Sequence, residues 1–154
     1  MKIRRATRKD ISVLTDFWYE EERFTKKFDK TTSLRRDAKK RIHDFLKKAL
    51  AKKNYRAFIA QDKNQVVGVI QGEIKKGYFV HNTNFIGHYS TMLVKKEYRA
   101  KGIATGLFKA MTNWFESKNI KLVDLYVHSG NKIALEMYKK LGFAEILKLM
   151  KKEI

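Results

Sequence analysis

The 154 residues carry 35 Lys and Arg against 16 Asp and Glu, a net charge of +19, with no cysteine and no proline. Lack of cysteine excludes disulfides, thiolate metal ligands and a cysteine nucleophile, so any group transfer must be direct or pass through Ser, Thr, Lys or a carboxylate. A hydrophobic content of 44% with ten Phe and seven Tyr suits one folded domain over residues 1–154, and no apolar run approaches the ~20 residues that cross a bilayer.

In chain order, "KIRRAT" predicts a short first strand, and Thr7 with Asp10 three residues on predicts the start of a helix. Ile11, Leu14, Phe17 and Trp18 then recur at helical spacing. "FTKKFDKTT", Phe24 to Thr32, predicts a loop. Ser33 is the expected N-cap of a second helix whose apolar face holds Ala38, Ile42, Phe45, Leu46, Ala49 and Leu50. After residue 54 the period changes. "YRAFIAQD", "QVVGVIQGEIKK" and "NFIGHYSTMLV" predict three strands, the first two joined by a turn at "DKNQ".

Ile103, Leu107, Met111, Trp114 and Phe115 predict a third helix starting near Lys101. "KLVDLYV" predicts a strand, Ala134, Met137, Tyr138 and Leu141 a short fourth helix, and "FAEILKLMKKEI" a closing strand. The expected order is β-α-α-β-β-β-α-β-α-β. Hairpins imply antiparallel pairing and the strand-helix-strand unit implies a parallel pair, so the fold class is mixed α/β, a mostly antiparallel sheet with helices on both faces. The N-terminus "MKIRRATRKDISVL" lacks the apolar stretch of a secretory signal, and a cytoplasmic protein is expected.

The chemistry concentrates at "EYRAKGIATGLF", Glu97 to Phe108, where a strand gives way to a helix through a glycine-bearing turn. The first turn of a helix leaves N–H groups unpaired and carries partial positive charge, which suits an anion such as a diphosphate. Gly102 permits close approach to the backbone, and Arg99 and Lys101 add charge. A Walker loop is excluded because Gly-Lys-Ser/Thr is missing, and a dinucleotide fingerprint because Gly102 and Gly106 have the wrong spacing. A second segment, "VHSGNKIALEMYKKLGF", sets Asn131 at a helix start and Tyr138 two turns later.

Together the two segments resemble the GNAT superfamily of N-acetyltransferases. The likeness runs through Val94 and Tyr98 to Ala104, then through Asn131, Ala134, Tyr138, Gly142 and Phe143, within the family's element order. It implies the acyl-CoA N-acyltransferase fold, acetyl-CoA as cosubstrate and an amine acceptor, a small molecule or a protein amine, attacking directly in a ternary complex. By motif position, the backbone of Met92, Leu93 and Val94 should pair with the pantetheine arm. Arg99, Ala100, Lys101, Gly102, Ile103, Ala104 and Thr105 should hold the pyrophosphate, and Asn131 should contact the coenzyme. Ala100 and Ala104 stand where glycine is common, and Lys96 where proline is.

The resemblance assigns Tyr138 as general acid toward the leaving sulfur, and places the oxyanion donor at the N–H of Leu93 or Val94. His88 occupies the position of a base in histone-type members, and a pKa of about 6.5 suits that work. Glu73 is another candidate, and ordered water is a third. Glu20, Glu21 and Glu22 read as a solvated helix face or as an attraction for a cationic amine. No metal is expected, since His43, His81 and His128 show no ligand spacing. The charge is spread, +11 over residues 1–56 and +8 over residues 57–154. It fits a lysine-covered surface, or alternatively a basic RNA- or ribosome-associated protein that keeps the fold without turnover. The family also makes a homodimer an expectation.

Overall fold

The computed structural model describes residues 1–154. Strands β1 (Lys2–Arg5), β2 (Tyr55–Asp62), β3 (Gln65–Lys76), β4 (Phe85–Val94) and β5 (Val123–Leu125) form one sheet in that spatial order. The first three pairings are antiparallel and β4–β5 is parallel, as the hairpins and the strand-helix-strand unit predict. Helices α1 (Ile11–Thr25) and α2 (Ala38–Ala49) pack on one face of the sheet; α3 (Ile103–Ser117) and α4 (Lys132–Lys140) pack on the other.

Alternation along the strands builds two cores. Tyr55, Ala57 and Ile59 of β2 and Val69 of β3 meet Leu14, Phe17, Ile42 and Leu46 on the first face. Ala60 and Ile70 meet Leu107, Met111 and Phe115 on the second. The second glycine of the seam, Gly106, is a packing residue: a Cβ there would lie 2.6 Å from the Ile3 side chain. It lets α3 sit close to β1.

Asp10 anchors the start of α1. Its carboxylate accepts two bonds from the Arg4 guanidinium, at 2.8 and 2.9 Å, and one from the Thr7 amide at 2.7 Å. The expected Thr7–Asp10 pairing therefore forms. Ser33 does not cap the second helix: α2 begins at Ala38 behind Asp37, whose carboxylate pairs with Arg41 at 2.9 Å. The intervening "SLRRD" has no apolar residue at helical spacing to bury beyond Leu34, so helix starts only where Ala38 and Ile42 face the sheet.

The expected closing strand is not formed. Residues 143–154 join no ladder, and Ile146, Leu147, Leu149 and Met150 are exposed. The apolar residues come as adjacent pairs, so a strand would send one of each pair to either face and bury neither set fully. Lys151 instead reaches Asp29 at the end of the α1 region. No helix is long and apolar enough to cross a membrane.

Candidate active site

β4 pairs with β3 over its whole length, with an irregularity that leaves Ser90 without a partner between Thr91 and Tyr89. Its other edge pairs with β5 only from Gly87 to Tyr89. Beyond that point the two strands part, and the edge of β4 from Ser90 to Val94 is open. Peptide groups alternate sides along a strand. The Lys95 N–H donates to Val67 of β3 at 2.9 Å, so Met92 and Val94 turn to the open edge and Leu93 turns to β3. Consistent with this, the Met92 N–H meets the Glu21 carboxyl at 3.4 Å, and the Val94 carbonyl accepts from Arg99 Nε at 3.0 Å. Of the three residues expected along a pantetheine arm, Met92 and Val94 present backbone groups and Leu93 does not. Of the two oxyanion donors expected, the Val94 N–H faces the open edge and the Leu93 N–H does not, and the Met92 N–H faces that edge as well.

The turn after β4 takes a shape that exposes amides. Ala100 and Gly102 have positive φ, 58° and 75°, and Gly102 immediately precedes α3. The N–H groups from Ala100 to Thr105 find no backbone or side-chain acceptor outside α3, and the helix's own ladder cannot serve its first turn. Nothing lies within 4 Å of where a Gly102 Cβ would stand. Unpaired amides at a positive helix end, with open space before them, make a concave anion cradle. These residues fit a pyrophosphate. Arg99 is fixed beside the cradle by its bond to Val94, whereas Lys101 folds back, its Nζ 3.0 Å from the Glu97 carbonyl and 5.2 Å from the Tyr98 ring.

Across the gap between β4 and β5, Glu21 of α1 and Tyr138 of α4 approach from opposite faces of the sheet. The Tyr138 ring packs edge-on against Phe108 and Phe143, with centroids 5.8 and 5.9 Å away, and its hydroxyl makes no hydrogen bond within the chain. Burial, with the Glu21 charge adding to it, pushes its phenol up to about 12 and keeps it protonated. Glu21 turns its carboxyl end inward to Met92. Burial pushes that carboxyl up to about 8; the Met92 N–H and the Thr91 hydroxyl oppose this, and the neighbouring Glu22 adds to it. The Thr91 hydroxyl is buried and, apart from its approach to Glu21, has no hydrogen-bond partner. Directly opposite it on β3, Gln71 is fully buried with its amide nitrogen unpartnered and its oxygen bonded to the Tyr55 hydroxyl.

Glu21 is the residue the sequence misjudged. Its signal was present: Leu14, Phe17 and Glu21 follow i, i+3, i+7 spacing, so Glu21 continues the stripe that faces the sheet. His88, the expected base, is buried, and its Nδ1 lies 2.6 Å from Asp124 of β5. It sits where the strands are still paired, four residues before Met92, or about 13 Å along an extended strand. Asn131 caps α4, its side-chain oxygen accepting from the Ala134 amide at 3.3 Å. A cleft of about 280 Å³ opens beyond Glu22, lined by Thr25, Asp29, Ser33 and His128. The Phe28 ring stacks on His128 at 5.9 Å on this side. No three His, Asp or Glu side chains are placed to hold a metal ion.

The sequence model described as the Acetyltransferase (GNAT) family matches residues 15–143. An N-alpha-acetyltransferase of Sulfurisphaera tokodaii is 36% identical over 103 residues, covering 61% of this chain and 60% of that protein. N-alpha-acetyltransferase 30 of Schizosaccharomyces pombe is 28% identical over 93 residues, 60% of each. The chain thus spans about six tenths of the length of these curated relatives. Among solved structures, a predicted acetyltransferase with acetyl-CoA from Clostridium acetobutylicum superposes with a TM-score of 0.80 at 22% identity, over 99% of this chain and 95% of that one. An aminoglycoside 6'-N-acetyltransferase from Acinetobacter haemolyticus gives 0.78 at 20% identity, over 100% and 99%. These two likenesses show the fold.

Proposed function

Since the chain belongs to the GNAT acetyltransferase family, we propose that it transfers an acetyl group from acetyl-CoA to a primary amine, in one step within a ternary complex. The observation that carries this is the open edge of β4 running into unpaired amides at the start of α3. Acetyl-CoA supplies a thioester as the activated acyl group. The Ala100 to Thr105 amides, with Arg99 beside them, hold its pyrophosphate, and Met92 and Val94 pair with its pantetheine arm. The Met92 N–H stabilises the charge that grows on the carbonyl oxygen. Tyr138, held protonated, donates to the departing sulfur. Asn131 orders the start of α4, which carries that tyrosine. The names of the two N-alpha-acetyltransferase relatives support an α-amine as acceptor, which we take to be that of a polypeptide.

The test has two parts. Coenzyme A titrated into the protein should bind by calorimetry and raise the melting temperature; no binding overturns the proposal. Peptides beginning with Ser, Ala, Gly or Met are then offered with acetyl-CoA, beside the same peptides with a blocked α-amine and one internal lysine. Release of free thiol with the first set alone is the result expected.

A further inference from the structure

We propose that Glu21 accepts the proton of the attacking amine, a role that rests on the acetyltransferase reading and adds to it the group that reading lacks. The geometry is specific. Glu21 stands on the face of α1 turned to the sheet, and its carboxyl oxygen lies 3.4 Å from the N–H of Met92 at the open edge of β4. That edge ends at the phosphate cradle, so an acyl carbon held there has Glu21 beside it from the α1 face. Tyr138 stands across the gap, close enough for the Glu21 charge to oppose ionisation of its phenol. One group is thus placed to take a proton and the other to give one, on opposite sides of a single reacting centre.

The titratable and polar groups facing Glu21 are Glu22 on its own helix, the Thr91 hydroxyl and Met92 amide on β4, and Tyr138 on α4. No cation is among them. A carboxyl so placed is a stronger base than an exposed glutamate, which matches it to an amine nitrogen. His88, by contrast, is committed at Nδ1 to Asp124.

The step balances. The amine nitrogen bonds to the acetyl carbon while the carbon–sulfur bond breaks and its electron pair stays on sulfur. Glu21 takes a proton from nitrogen, and Tyr138 gives one to sulfur. The proton on Glu21 then passes to solvent, and Tyr138 regains one from it, leaving amide and thiol. In the chain alone the carboxyl uses the same Met92 N–H that the thioester carbonyl would need, so binding of the donor frees it to face the amine.

The experiment compares wild type with Glu21→Gln, Glu21→Asp and His88→Ala. Steady-state rates use acetyl-CoA and the peptide set described above. Glu21→Gln is expected to lower kcat about 10²- to 10³-fold with little change in KM for acetyl-CoA, and to make the rise of kcat/KM between pH 6.5 and 9 shallower, leaving the part that comes from the peptide's own α-amine. Glu21→Asp should recover part of the rate and the slope. His88→Ala should keep the slope. In the free protein, the ¹³C-labelled Glu21 carboxyl should titrate near 8 and not in the ordinary carboxylate range. Coenzyme A should bind Glu21→Gln as well as it binds wild type. Wild-type turnover in Glu21→Gln, or loss of the pH slope in His88→Ala instead, overturns the role of Glu21 alone. If coenzyme A binds none of the four proteins, the acetyltransferase reading itself falls, and the calorimetry tells the two failures apart.

Discussion

At the scale of single residues, two carboxyl groups, one just before α1 and one on it, are displaced in opposite directions, and each has a consequence for stability. Asp10 is buried against Arg4 and Thr7, and those bonds hold its carboxyl down at about 2. Its ionised form is favoured by folding, so the stabilisation is complete above its ordinary value of 3.8 and disappears as pH falls through that value toward 2. Asp10→Asn should cost about 2 kcal/mol at pH 7 and remove part of the loss of melting temperature between pH 5 and 2. Thermal melts across that range check it. Glu21 is the reverse case, raised from 4.5 to about 8. The folded state prefers it protonated, so that preference stabilises the protein at low pH and is lost as pH rises through 8. Glu21→Gln should therefore melt higher than wild type at pH 8.5 and about equally at pH 5. An isosteric change that adds stability while removing activity is the signature of a group kept for its chemistry.

The backbone carries the third consequence at this scale. Ala100 holds φ at 58°, where a Cβ is strained by about 1 kcal/mol. Ala100→Gly should raise stability by up to about 1 kcal/mol and leave coenzyme A affinity intact. Gly102→Ala has no atom to strike in the protein, yet it strains a φ of 75° and puts a methyl into the cradle. It should cost about 1 kcal/mol of stability and, separately, a larger loss of coenzyme A affinity, which calorimetry resolves.

At the scale of elements, most of the fold was legible because each helix writes its buried face into the sequence at 3.6-residue spacing. Ile103, Leu107, Met111 and Phe115 predicted α3, and all four are buried. The anion cradle was legible for the same reason: a helix start next to glycine is a local feature. What local pattern does not hold is the register between elements. The Asp124 partner of His88 comes from a strand 36 residues away. Glu21 looked like one of three solvated glutamates because nothing nearby in sequence says that α1 lies over the open part of β4. Leu93 was grouped with Met92 and Val94 because the edge to which each peptide group turns depends on pairing with β3. The closing strand failed for a different reason, since its composition suggested a strand while its paired apolar residues offered no single face to bury.

Packing of α3 on the sheet also carries a prediction at this scale. A Cβ at Gly87 of β4 would lie 2.7 Å from the fully buried Phe115 ring. Gly87→Ala should push α3 off the strand and cost about 1–3 kcal/mol, read as a lower denaturation midpoint with an unchanged slope. Gly87 also opens the short stretch where β5 pairs with β4, so the same variant should loosen that pairing.

At the scale of the whole molecule, the charge of +19 dominates. Self-repulsion of that size is screened by salt, so the melting temperature should rise between about 20 mM and about 0.5 M sodium chloride. The association rate of coenzyme A, a polyanion, should fall over the same range for the same reason. A melting temperature that ignores salt would mean that the cations lie too far apart to act together. The parting of β4 from β5 has a consequence at this scale as well. It is a doorway through the sheet, with α1 on one threshold and α4 on the other. On the function proposed above, the donor's phosphates would be held by α3 and the entering nitrogen met by α1, so the two ligands would be read by different helices in different layers. Changes in the α1–α2 connection, which lines the cleft beyond Glu22, would then be expected to retune which amine is accepted while leaving coenzyme A affinity as it was.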